Sequence, residues 1–223
     1  MPDTPASAYP SAEAEAARYA LMRRLAPSMR HHLVVNLQPI GMIYEVMERR
    51  LRAPVPDLAH VQDAAGKING FAKAALASCL DVVGWLAPDE TVPIPVEDAA
   101  RECAALLATS LSFRGYALRN KVTAMPATVR RSAARNLLSA TLVHCTDHAR
   151  APAELELTCA SEGDTACVCV EVRRTDGEQA FSAEPNYRKL AWSDLEALAA
   201  ADGVQLQRNG ERIELRMPWM PAR

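Results

Sequence analysis

The residues with the most chemical promise are His31 and His32, two adjacent imidazoles inside a long helical pattern. Apolar residues recur around them at Leu21, Leu25, Met29, Leu33, Leu37, Ile40, Tyr44, Met47 and Leu51. Steps of three and four residues draw a stripe along a helix. Both histidines fall beside that seam, not in it. An imidazole that solvent can reach, carried on a rigid helix, can accept and pass on a proton or a phosphoryl group.

What positions these histidines is a pair of helices. The first pattern starts near Glu13 and keeps phase across Pro27 and Pro39 to Leu51, which predicts one long helix bent at the prolines. Arg52 to Asp57 contains two prolines and breaks it, and Asp57 is placed to cap a second helix from Leu58 to Leu86. The second stripe runs through Leu58, Val61, Ala65, Ile68, Phe71 or Ala72, Ala75, Cys79, Val82 and Leu86. Two long helices on a short loop make an antiparallel hairpin. A lone hairpin cannot bury both stripes, so a homodimer forming a four-helix bundle is expected.

The organisation expected is a flexible lead-in over 1–12, the hairpin over 13–87, a linker over 88–95 with three prolines, and a second domain over 96–223. Within that domain Val96 to Phe113 reads as helix, Tyr116 to Val122 as strand and Thr128 to His148 as helix. Glu154 to Thr158 and Ala166 to Arg173 read as strands. Tyr187 to Ala201 reads as helix stopped by Gly203, and a hairpin turns at Asn209-Gly210. The fold class expected is α+β, with helices on one face of a mixed sheet.

The bulk composition narrows the function classes. A net charge of -2 offers no general attraction to nucleic acid or to anionic membranes. No stretch approaches the length of a membrane span, and no basic-then-apolar leader opens the chain, so a cytoplasmic protein is expected. The six cysteines form no CxxC and read as small buried hydrophobes. His144 and His148 have i, i+4 spacing suited to a metal, but no further ligand accompanies them, and no metal is expected. Asn36 is placed either to orient an imidazole or a group of a docked partner, or to be an ordinary polar position at the bundle edge. Arg23, Arg24 and Arg30 are either an attraction for an acidic partner or a solvated basic face.

A hairpin with an exposed histidine, followed by this order of helices and strands, resembles the two-component sensor histidine kinases: their dimerisation and phosphotransfer hairpin, then their Bergerat-type ATP-binding domain. In that family apolar residues follow the phospho-accepting histidine at two, six and nine positions, and an acidic residue often follows at fourteen. From His31 these are Leu33, Leu37, Ile40 and Glu45; from His32 the register fails at Gln38. One subfamily ends its histidine run in Asn-Leu-Gln, as Asn36-Leu37-Gln38 does in register with His31. The resemblance therefore makes His31 the phosphoacceptor and His32 a neighbour or alternative. Asn36 stands where the family carries proline, and Pro39 is available to bend the helix instead.

The resemblance also implies that the nucleotide site has eroded. The family's Asn-Leu-Leu-x-Asn-Ala run is here Asn136-Leu137-Leu138-Ser139-Ala140-Thr141, so Ala140 replaces the magnesium-binding asparagine. A methyl group cannot serve a hard cation that takes oxygen ligands. Of the family's Asp-x-Gly-x-Gly only Asp176-Gly177 is present, and Arg188 to Asp194 holds no phosphate-cradling glycine. Histidine kept and nucleotide site lost is similar to the histidine phosphotransferases of the ChpT kind. That implies a phosphorelay role with response-regulator receiver domains as partners, magnesium held by the receiver and no cofactor on this chain. A divergent kinase that still binds ATP, or an adaptor without enzymatic activity, are the alternatives.

Overall fold

The computed structural model describes residues 10–125, 127–176 and 186–221. The chain divides into two compact units, one of residues 1–25 with 89–223 and one of residues 26–88. The first turns of the leading helix thus belong with the C-terminal unit, whereas the sequence segmentation put them with the hairpin.

Helix α1 (Ala12–Leu51) is continuous through Pro27 and Pro39. Helix α2 (Leu58–Leu86) starts at Asp57, whose carboxylate accepts from the amides of Ala59 and His60 at 3.1 and 3.3 Å. That satisfies two of the orphan donors at the helix start. In the smaller unit, α1 from Ala26 onward and α2 lie antiparallel. Asn36 meets Ser78 at one end, and Met47 and Ile43 line a groove with His60 and Ala64 at the other.

In the larger unit the helices are α3 (Val96–Phe113), α4 (Arg131–His148) and α5 (Trp192–Asp202). The main sheet has β2 (Tyr116–Asn120), β4 (Ala153–Glu162), β5 (Thr165–Arg174), β6 (Gln205–Asn209) and β7 (Arg212–Pro218) in the order β2-β4-β5-β7-β6. Among the described residues of this sheet only the β2–β4 pair is parallel. The expected linker ends in a short strand, β1 (Pro93–Pro95), paired antiparallel with β3 (Thr128–Arg130), so α4 starts at Arg131 and not at Thr128 as its pattern predicts.

Strand alternation sorts the two faces of the sheet. Leu155, Leu157, Val168, Val170, Ile213 and Leu215 face the helices and are buried. The other face carries ion pairs: Lys121 with Glu156, Arg173 with Glu171, and Arg216 with both Glu214 and Glu162. Cys167 and Cys169 share that face yet stay buried, opposite Arg216 and Glu214, which is how long charged arms shelter small residues. The fold is α+β: an N-terminal helical hairpin and a two-layer sandwich with its helices on one side of a mixed sheet. Among the described residues no helix is long and apolar enough to cross a membrane.

Candidate functional site

The hairpin segment of α1 has three faces, and its 3.6-residue period explains each. His32, Asn36, Pro39, Ile40, Ile43 and Met47 fall on the side turned toward α2 and are half-buried. Leu37, Tyr44 and Leu51 fall on one flank and are exposed, so three members of the expected stripe are not covered by the hairpin itself. His31 falls on the opposite flank with Val35, Met42 and Val46, and is exposed. On α2 the interior residues are Val61, Ile68, Phe71, Ala75, Val82 and Trp85. Leu58, Leu76, Leu80, Val83 and Leu86 are exposed, Leu80 at 64%. By helical phase this exposed row lies on the same side of the hairpin as Leu37 and Tyr44, away from His31.

The two imidazoles stand edge to face, with ring centroids 6.4 Å apart. Asn36 orients neither ring. Its amide donates to the His32 backbone carbonyl at 3.2 Å and to Ser78 Oγ at 3.0 Å, and Ser78 in turn donates to the Ala74 carbonyl. Asn36 is a polar tie between the two helices of the hairpin.

The three arginines before His31 do different things. Arg30 is exposed. Arg23 is exposed and lies over the ring of Tyr187, 5.0 Å from its centroid. Arg24 is buried, with its two terminal nitrogens each 2.6 Å from a carboxylate oxygen of Asp147. It is a structural cation of the larger unit and presents no charge to a partner, a correction to its reading as surface charge.

Every residue of α4 from Ser132 to Asp147 is buried, including Asn136 and Ala140. A helix lying on one face of a sheet ordinarily keeps a solvent side; this stretch keeps none. Part of that side is covered by α1, whose Ala14, Ala17, Leu21 and Leu25 are fully buried and whose Arg24 reaches Asp147. Part is covered by the segment before α5: Leu190 donates its amide to Asp147 at 3.0 Å, and its carbonyl meets His144 Nδ1 at 2.8 Å and His148 Nε2 at 3.0 Å. Asp202 is buried beside Arg18 and Arg130; burial raises its carboxyl pKa above the usual value, and the two guanidiniums offset only part of that rise. Asp176 is exposed beyond the end of β5, and Gly177 lies outside the described residues. The residues present do not fit a magnesium nucleotide at this place: Ala140 offers a buried methyl where an oxygen ligand is needed.

Among the described residues no group of three or more metal-ligating side chains occurs. His144 and His148 face the same carbonyl, that of Leu190. A carbonyl only accepts, so His144 carries its hydrogen on Nδ1 and His148 on Nε2 in these bonds.

No family model matches the chain, and no curated protein matches it. Solved structures do. The histidine kinase AdeS of Acinetobacter baumannii is 10% identical over 81% of this chain and 96% of its own, with a TM-score of 0.42. A bacterial phosphotransferase is 13% identical over 88% of this chain and 95% of its own, with a TM-score of 0.42. The blue-light activated histidine kinase EL346 of Erythrobacter litoralis is 13% identical over 82% of this chain and 63% of its own, with a TM-score of 0.45. Likeness at this level carries no argument about activity, and the α+β fold rests on the strand order and helical layer described above.

Proposed function

We propose that this chain is a histidine phosphotransferase of a two-component phosphorelay, with His31 as the phosphoryl carrier and response-regulator receiver domains as partners. The observation that carries the reading is the placement of His31: exposed, and on the flank of α1 opposite the apolar row of Leu37, Tyr44, Leu76, Leu80 and Leu86. A second copy laid on that row builds the four-helix bundle and leaves His31 open. The buried α4 and the methyl of Ala140 favour phosphate received from another protein over phosphate taken from ATP.

The transfer is a displacement at phosphorus. A neutral imidazole nitrogen of His31 attacks the aspartyl phosphate of a receiver. The N–P bond forms as the P–O bond to the carboxylate breaks, the aspartate leaves as a carboxylate, and the second ring nitrogen releases its proton to solvent. The reverse displacement by another receiver's aspartate completes the relay. Magnesium for both steps belongs to the receiver. The hairpin supplies an accessible nitrogen on a rigid helix and a surface that sets the approach.

The test is labelling of the purified chain by a receiver carrying radioactive aspartyl phosphate. His31→Ala should abolish label on this chain, and His32→Ala should retain it. Label lost only in His32→Ala would move the carrier by one residue. Label taken directly from ATP without a receiver would make the chain a kinase, and no label from either source would make it an adaptor.

A further inference from the structure

We propose that the open end of the sandwich, where the last turn of α4 faces the end of β5 and the β6–β7 hairpin, is a binding site for a small ligand bearing a dianionic phosphomonoester.

A cavity of about 370 Å³ lies there. Its rim carries Arg150, Arg174 and Arg208 against one carboxylate, Glu211. Among the described residues none of the three arginines makes an ion pair, although arginines elsewhere in this unit, such as Arg24, Arg173 and Arg216, do. Three like charges gathered at one opening repel one another, and they are eased by a counter-anion. Three positive charges opposed by one negative match a phosphomonoester, which carries a charge of about -1.5 to -2 near neutral pH. A guanidinium also pairs with phosphate oxygens through two parallel N–H donors, which an ammonium cannot do.

The site is partly preorganised. Arg208 donates from Nε to the Gly210 carbonyl at 3.1 Å and lies over the Trp192 ring, 6.0 Å from its centroid. Its guanidinium therefore needs little ordering when an anion arrives. The wall is the pair His144 and His148, with ring centroids 4.5 Å apart, fixed by their shared bonds to the Leu190 carbonyl. With those hydrogens committed to Leu190, the remaining ring nitrogens, His144 Nε2 and His148 Nδ1, are acceptors when the rings are neutral. A ligand bearing a hydroxyl donor beside its phosphate has complementary partners in such a wall. The cavity is larger than bare phosphate requires, so an organic phosphomonoester fits it better than the inorganic ion.

Titration of the full chain with glycerol 2-phosphate at constant ionic strength tests this, read through the imidazole NMR signals of His144 and His148. Saturable shifts are expected, with inorganic phosphate weaker and acetate unable to compete. Arg174→Ala and Arg208→Ala should each weaken binding by about 10-fold, and Glu211→Gln should tighten it by about 3-fold, as expected for charge-assisted pairs. These three side chains are exposed, so the variants keep the fold, and far-ultraviolet circular dichroism verifies that. His31→Ala should bind as the parent does, which separates this site from the phosphotransfer reading. A shift that never saturates, equal competition by acetate, or an Arg208→Ala variant that binds unchanged would overturn the proposal. So would a site occupied only by an acidic protein partner and never by glycerol 2-phosphate.

Discussion

Arg24 and Asp147 form a two-pronged ion pair, both contacts 2.6 Å long, between residues 123 positions apart in the chain. The Arg24 guanidinium also donates to the Arg188 carbonyl at 3.1 Å, and Asp147 also accepts the Leu190 amide. One buried pair thus joins the first turns of α1, the end of α4 and the approach to α5. Loss of Asp147 would strand a buried guanidinium, and loss of Arg24 would leave Asp147 only the Arg114 guanidinium at 3.5 Å and the Leu190 amide.

Replacing Arg24 by Met should therefore destabilise the larger unit by up to about 3 kcal/mol, the low end of the cost of breaking a buried pair from one side, because Arg114 still neutralises part of the Asp147 charge. Arg23→Met, at an exposed position, should cost under about 1 kcal/mol. Urea unfolding followed by circular dichroism measures both. Equal effects from the two changes would refute the structural role assigned to Arg24.

His144 gives the larger unit a pH dependence with a definite sign. Burial lowers the pKa of its imidazole below 6.5, and the nearby His148 and Arg208 lower it further, while the Leu190 carbonyl opposes the shift. The unfolded chain then binds a proton that the folded chain refuses, so this part of the stability is present above about pH 6.5 and is lost as the pH falls below it. His144→Gln should flatten the change in urea midpoint between about pH 7.5 and about pH 5.5. An unaltered slope in that variant would assign the acid sensitivity to other groups.

In the proposed homodimer the exposed apolar row of the hairpin is the interface. Leu80→Glu should weaken self-association by about 100-fold or more. Each dimer contains two copies of the change, and each buried leucine contributes about 1.5–3 kcal/mol. Val35→Glu, on the His31 flank, should leave the dimer mass unchanged. Sedimentation equilibrium distinguishes them, and a dimer broken by Val35→Glu but not by Leu80→Glu would place the interface on the wrong side of the hairpin.

Much of this organisation is legible in the sequence because it is periodic. The two long helices, the alternation through Cys167 to Val172, the Asp57 cap and the Gly203 stop all follow from local pattern. What is not legible depends on partners distant in the chain. A three-residue strand bounded by Pro93 and Pro95 reads as linker until Thr128–Arg130 is found beside it. Arg24 reads as one of several surface arginines because Asp147 is invisible from its neighbourhood. Helix α5 begins at Trp192 and not near Tyr187, because Leu190 is held in place by Asp147, His144 and His148. For the candidate site, helical phase separates His31 from the interior, but only the packed hairpin reveals that Asn36 is spent on Ser78.

That bond between Asn36 and Ser78 fixes more than a distance. Aliphatic and small side chains along two antiparallel helices tolerate sliding, since one leucine greets another about as well as a third. A polar pair set among them does not. Moving α1 by one turn would bring Asn36 opposite Ala74 or Val82, neither of which has a side-chain group to accept its hydrogen, and would leave the Ser78 hydroxyl without its amide. The hairpin therefore has one alignment in which nothing polar is wasted, and the height of His31 along the hairpin is set by an amide five residues away that never touches its ring.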